Sequence, residues 1–240
     1  MPCIASNALE FLFALTTMSK VKVGAFSISL DGFGAGPRQD INNPLGVRGL
    51  ELHNWFFETA VFKKIHGQNG GTEGFDFHKN DNNIAAQSFE NVGAWILGRN
   101  MFGPVRGPWD GSPENAEWKG WWDDNPPYHT PVFVLTHHAR APLAMEGGRT
   151  FYFVTDGVHS ALQKAKDVVG NKDVRIGGGV STIRQFLAAG LIDEMHLAVS
   201  PVLLGEGEHF FQGMNLHELG FTSIHTVAGE GATHVFLKKA

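Results

Sequence analysis

The chain has 240 residues, 42% hydrophobic and 11% aromatic, enough for a substantial core and with no compositionally disordered stretch. A formal charge of -5, with lysines and arginines spread along the sequence, excludes a basic stripe, so nucleic acid and anionic membrane surfaces are poor partners. One cysteine, Cys3, excludes an internal disulfide framework and fits a reducing compartment such as the cytoplasm.

Leu9 to Met18 is apolar but shorter than the ~20 residues that span a bilayer. No positive charge precedes it, as a secretory signal requires. Met18-Ser19-Lys20 opens onto a strand pattern. Residues 1–19 are therefore expected to be an extension, with Met18 as the natural start. A surface helix is the alternative. A single domain is expected over residues 20–240.

Val21 to Leu30 is a β-branched, apolar strand ending at the Asp31-Gly32 turn. Leu52, Trp55, Phe56, Thr59 and Phe62 recur at helical spacing and predict a helix over 50–65. Residues 67–83 read as a glycine- and asparagine-rich loop, 83–92 as a helix stopped by Gly93, and 94–97 as a short buried strand. Residues 103–127 hold five prolines and four of the six tryptophans. That is too long for an ordinary connection, so a lid, a binding loop or an interface is expected. Strands follow at 131–136 and 150–154, then a helix over 158–168 with Asp156 as its N-cap. A strand over 173–176 runs into three glycines, followed by a helix over 181–189 stopped by Gly190. Strands at 195–202 and 232–237 complete the chain. Alternating strands and helices predict an α/β fold with a mostly parallel sheet, helices on both faces and an antiparallel edge.

Three features carry chemistry. In Asp173-Val-Arg-Ile-Gly-Gly-Gly-Val-Ser-Thr-Ile-Arg184 a strand turns through glycines into a helix N-terminus, where backbone N–H groups and the helix dipole favour phosphate. A tight structural turn would use the same glycines. The run is neither a dinucleotide fingerprint, with Thr182 at the third glycine position, nor a P-loop. Arg99 follows another strand end and suits a second phosphate, although a solvated arginine fits that position too. Asp31 ends the first strand, where a carboxylate could orient a substrate amine or ring nitrogen; an ordinary turn aspartate is the plainer reading. The twelve histidines show no spacing that completes a metal site.

Taken in order, Val23-Gly-Ala-Phe-Ser-Ile-Ser-Leu-Asp-Gly32, Trp95-Ile-Leu-Gly-Arg99, Val132-Phe-Val-Leu-Thr136, Val174-Arg-Ile-Gly-Gly-Gly179, Ile183 to Glu194 and Pro201-Val-Leu-Leu-Gly205 resemble the dihydrofolate-reductase-like family. That family includes the reductase domain of the bacterial riboflavin-pathway deaminase-reductase. The resemblance spans residues 21 to about 212 and is most specific from Asp173 to Gly205. It implies a three-layer fold and NADPH as cofactor, with Ala25, Asp31 and Gly34 beside the nicotinamide. It also implies Arg99 at the 2′-phosphate with Thr136 and His137 nearby, and Gly178, Gly179, Val180 and Ser181 around the pyrophosphate. Asp31 is the expected catalytic group. The implied activity is hydride transfer to a ribosylaminopyrimidine such as 5-amino-6-(5-phosphoribosylamino)uracil, or to a related heterocycle or carbonyl. The expected partners are that small molecule and a second copy of the chain. Strict folate reductases place an acid three residues before the Trp-Phe pair, where this chain has Leu52. Folate reduction and a non-catalytic nucleotide-binding module stand as alternatives.

Overall fold

The computed structural model describes residues 19–67, 79–104, 106–122 and 124–240. The expected N-terminal extension, but for Ser19, and residues 68–78 of the expected loop lie outside the described residues. The elements in chain order begin with β1 (Val21–Ser29), β2 (Phe33–Ala35), α1 (Asn54–Phe57), α2 (Ala60–Ile65), α3 (Lys79–Gln87), β3 (Val92–Gly98) and α4 (Arg99–Phe102). Next come α5 (Pro113–Glu117), β4 (Val132–Leu135), β5 (Leu143–Ala144), β6 (Thr150–Val154), α6 (Val158–Val169) and β7 (Asp173–Gly178). Last are α7 (Val180–Ala188), β8 (Glu194–Ser200), β9 (Glu208–His209), β10 (Phe221–Ala228) and β11 (Thr233–Lys239).

Nine strands form one sheet in the order β10-β11-β8-β1-β7-β3-β4-β6-β5. Its centre, from β8 through β1, β7, β3 and β4 to β6, is parallel. The expected antiparallel edge is present: β11 runs against β8, and β10 against β11. The far edge, β5 against β6, is antiparallel as well. Successive side chains of a strand leave on opposite faces. Along β3 this sends Ala94 and Ile96 into a core shared with α6 and α7, and Trp95 and Leu97 into a second core under the tryptophan-rich segment. The 3-4 spacing of Ala161, Leu162, Ala165 and Val169 gives α6 its buried stripe.

Several elements depart from the sequence expectation for identifiable reasons. The helix expected over 50–65 is a 3-10 turn (Gly49–His53) followed by α1 and α2. Thr59 is extended, and its hydroxyl accepts from the Phe62 N–H at 3.1 Å, so it is an N-cap rather than part of an apolar stripe. The third helix starts at Lys79 and ends at Gln87, four residues earlier at its start than expected. Gly93 is not its stop; it lies inside β3, where an added Cβ would stand 2.7 Å from Lys172 and 2.8 Å from Val169. Asp156 does not cap α6. Gly157 does, while Asp156 accepts from Ser160 at 3.0 Å and from Lys164 at 3.2 Å. Gly190, at φ +68, closes α7 as expected, with Leu191 N–H bonded to Phe186 O and Gly190 N–H to Leu187 O. The expectation missed β10, whose side chains are mostly exposed and only half apolar.

Candidate functional site

The carboxyl-terminal halves of β1, β7 and β3 open onto a cavity of about 480 Å³, rich in aromatic side chains and lined in part by Trp121 and Trp122 of the proline-rich segment. Ala25 lines it at a break in β1, where the register with β8 shifts between Val23 and Phe26 and Ala25 takes φ +50. L-residues seldom adopt that conformation. A buried chain of hydrogen bonds holds it. The Ala25 N–H donates to His196 Nδ1 at 3.0 Å, His196 Nε2 meets His234 Nδ1 at 2.9 Å, and His234 Nε2 meets Asp81 Oδ1 at 2.8 Å. An amide can only donate, so His196 Nδ1 carries the lone pair and Nε2 the proton, which fixes His234 as the Nε2–H tautomer facing the carboxylate. Burial, and then the neighbouring His234, Arg175 and His225, push His196 down to about 3.

At the end of β7 the backbone turns through Gly178, at φ +120, into α7, whose N-cap is Gly179. A Cβ added at Gly179 would meet nothing within 4 Å. The open space lies on the cavity wall, beside the first N–H groups of the helix, and suits the close approach of a phosphate. Gly34 of β2 is required for the opposite reason: an added Cβ would stand 2.6 Å from Val180 and 2.8 Å from Phe26. Val180 is buried and lines the cavity, whereas Ser181 is exposed on the first turn.

Arg99, at the end of β3, anchors a second positive region. Its Nη1 donates to Thr136 Oγ1 at 3.1 Å and its guanidinium lies 3.2 Å over the Trp109 ring. Arg140 packs over Trp109 at 4.8 Å, and Arg106 bonds to Asn100 Oδ1. Burial, then the like charges of Arg106 and Arg140, push Arg99 down to about 10. None of the three pairs with a carboxylate among the described residues, and the Arg99 Nε is buried without a partner. Three neighbouring cations without a carboxylate partner among the described residues, one of them with an orphaned donor, suit an anion.

The structure thus brings Ala25, Gly34, Gly179 and Val180 to one cavity wall, with Gly178 in the turn that continues it. Arg99 joins Thr136 beside it; His137 follows Thr136 and is exposed. Asp31 is not in the cavity wall. Its carboxylate accepts from Leu204 N–H at 3.1 Å and Gly205 N–H at 2.7 Å, clasping the loop after β8. Leu52 is fully buried, Glu51 is held by Arg48 through two 2.9 Å bonds, and Glu58 faces Lys63 at 3.6 Å. None of these three lines the cavity. Sequence reasoning missed Arg106, Arg140, Tyr128 and Arg175. For the first two the available signal was cations in and beside a tryptophan-rich segment. Among the described residues no His, Cys, Asp or Glu group is arranged to hold a metal ion, and no helix is long and apolar enough to cross a membrane.

A family profile described as the RibD C-terminal domain matches residues 23–233. Among solved structures, a putative riboflavin biosynthesis protein from Shewanella sp. PV-4 is similar over 93% of this chain and 99% of its own, with a TM-score of 0.53 and 22% identity. At that identity the likeness concerns the fold. A diaminohydroxyphosphoribosylaminopyrimidine deaminase/5-amino-6-(5-phosphoribosylamino)uracil reductase from Thermotoga maritima gives a TM-score of 0.47 at 14% identity, covering 93% of this chain and 56% of its own. A curated relative, the uncharacterized protein YyaP of Bacillus subtilis (strain 168), is 41% identical over 59 residues. That match spans 25% of this chain and 31% of the relative.

Proposed function

Since the chain belongs to the RibD C-terminal domain family, we propose that it is an NADPH-dependent reductase of the riboflavin-pathway type, acting on a small heterocyclic or carbonyl substrate. The observation that carries this reading is the cluster of Arg99, Arg106 and Arg140, without a carboxylate partner among the described residues, at the end of the strand next to the one that enters the glycine turn at 177–179. Two anion-receptive regions at the ends of neighbouring strands of one sheet suit a phosphorylated dinucleotide.

The residues fit such a cofactor. Gly178, Gly179, Val180 and Ser181 would take the pyrophosphate, and the open Gly179 position lets backbone approach oxygen closely. Arg99 and Thr136, with His137 near, would take the 2′-phosphate. Ala25 and Gly34 would flank the nicotinamide, with Ala25 held by His196. When bound, NADPH supplies the hydride. The chain's own part is to align the two reactants, exclude water with the aromatic wall and stabilise charge that develops on the substrate.

Strict folate reduction is the weaker reading, because no carboxylate of the second element reaches the cavity. Following NADPH absorbance with a ribosylaminopyrimidinone, dihydrofolate and aromatic carbonyl compounds tests the assignment. Tight NADPH binding with no oxidation by any of them would favour a non-catalytic nucleotide-binding module.

A further inference from the structure

Two of the polar side chains that line the cavity, Tyr128 and Arg175, have no part in the cofactor reading. Tyr128 is only 5% exposed, lines the cavity, and its hydroxyl has no hydrogen-bond partner among the described residues. Its ring is fixed edge-on by Trp95 at 5.0 Å and Trp122 at 5.4 Å. A hydroxyl in a cavity wall that no group among the described residues engages is positioned for something outside the chain.

Arg175 is the second. It is 7% exposed and pairs with no carboxylate among the described residues. Its Nη2 donates to Gly24 O at 2.6 Å, Nη1 donates to Ser88 O and reaches Ser88 Oγ at 3.3 Å, and its Nε has no partner. The guanidinium lies 4.4 Å over Trp95 and 4.8 Å over Phe89. Burial pushes it down to about 9, so the charge persists at neutral pH. A buried cation without an anion is costly unless a partner arrives. Burial also pushes the Tyr128 phenol up, and Arg175 alone pulls it the other way, so the two groups sense each other.

We propose that Tyr128 is the proton donor to the substrate, that Arg175 is the positioning cation beneath it, and that the substrate is a planar carbonyl or imine conjugated to an aromatic ring. This rests on the reductase reading. The ring would lie flat among Phe26, Trp55, Phe89, Trp95 and Trp122, which accept any π face. As hydride from the reduced nicotinamide adds to the substrate carbon, the π pair of the C=O or C=N bond moves onto the heteroatom. The Tyr128 O–H bond breaks and a heteroatom–H bond forms. The phenolate left behind faces Arg175 until a solvent proton restores it. An alkoxide or amide anion is more basic than phenolate, so the transfer runs downhill despite the raised phenol.

The test uses 4-nitrophenol as a probe, because its anion mimics the developing oxyanion on a flat ring and its colour reports ionisation. The full chain is expected to bind the phenolate at least tenfold more tightly than the phenol, lowering the probe's apparent pKa on binding. Tyr128→Phe removes one hydroxyl that has no bond among the described residues, so its thermal midpoint stays while phenolate binding weakens tenfold or more. Arg175→Gln abolishes the preference and Arg175→Lys retains part of it. If either Arg175 variant fails to fold, Tyr128→Phe decides. No preference for the anion, or a preference intact in Tyr128→Phe, overturns the proposal. The titration needs no cofactor, so a failure to bind or oxidise NADPH is a separate result that bears on the reductase reading.

Discussion

His196 Nε2 lies 2.9 Å from His234 Nδ1, and the proton between them is placed by groups at the two ends of the chain, the Ala25 N–H and the Asp81 carboxylate. Both imidazoles are buried, at 7% and 0% exposure. The pair ties strand β11 and helix α3 to the one residue of β1 that adopts a left-handed conformation on the cavity wall.

That arrangement gives stability a definite pH dependence. An unfolded imidazole takes up a proton near pH 6.5, whereas His196 in the fold resists until about 3. The unfolded state therefore binds more protons between these values, so the contribution is complete above pH 6.5 and is lost as pH falls toward 3. Between pH 7 and pH 5 this amounts to roughly 2 kcal/mol. His53, pushed down to about 4 by burial, adds a loss of the same sign. Urea unfolding at the two pH values should show the loss, and His196→Gln should show less of it. An equal loss in wild type and variant would mean that His196 is charged in the fold.

The glycine turn gives a sharper separation of structure from binding. Gly179 has φ -74 and open space where a side chain would start, so Gly179→Val should fold with a circular-dichroism spectrum like that of the wild type. The valine would fill the space assigned to phosphate, and NADPH binding should fall beyond measurement. A folded variant with unchanged affinity would place the pyrophosphate elsewhere.

Dihydrofolate should be turned over very slowly or not at all. Leu52 is buried with its carbonyl accepting from Ser200 Oγ at 2.6 Å, and Glu51 is engaged by Arg48. No acid of that segment can pair with a protonated pterin, and a buried charge-assisted contact of about 1.5–3 kcal/mol is missing. A steady-state assay with dihydrofolate checks this, and brisk turnover would require Glu51 or Glu58 to swing into the cavity.

What the sequence made legible was local. The β-branched runs at Val21 and Val132, the glycines at 177–179 and the stop at Gly190 each depend on neighbours within a few positions, so those strands, the turn and the helix end could be read directly. Thr59 was misleading because a threonine looks the same inside a helix and at its N-cap. The Asp81-His234-His196 chain joins residues up to 153 positions apart, and no spacing announces it. Arg106 and Arg140 became visible as part of one cationic cluster only once Trp109 and its neighbours had gathered them around Arg99. Asp31 sits at the strand end where it was expected, yet two backbone N–H groups of the 204–205 turn occupy its carboxylate.

The most direct test of the cofactor assignment is a fluorescence titration of wild type and Arg99→Ala with NADPH and NADH. An Arg99 contact to a 2′-phosphate would be worth roughly 1.5–3 kcal/mol, or about tenfold to a hundredfold in affinity. Wild type should therefore prefer NADPH by that factor, and Arg99→Ala should bind the two cofactors alike. Equal affinities in the wild type would contradict the assignment of the arginine cluster to the 2′-phosphate.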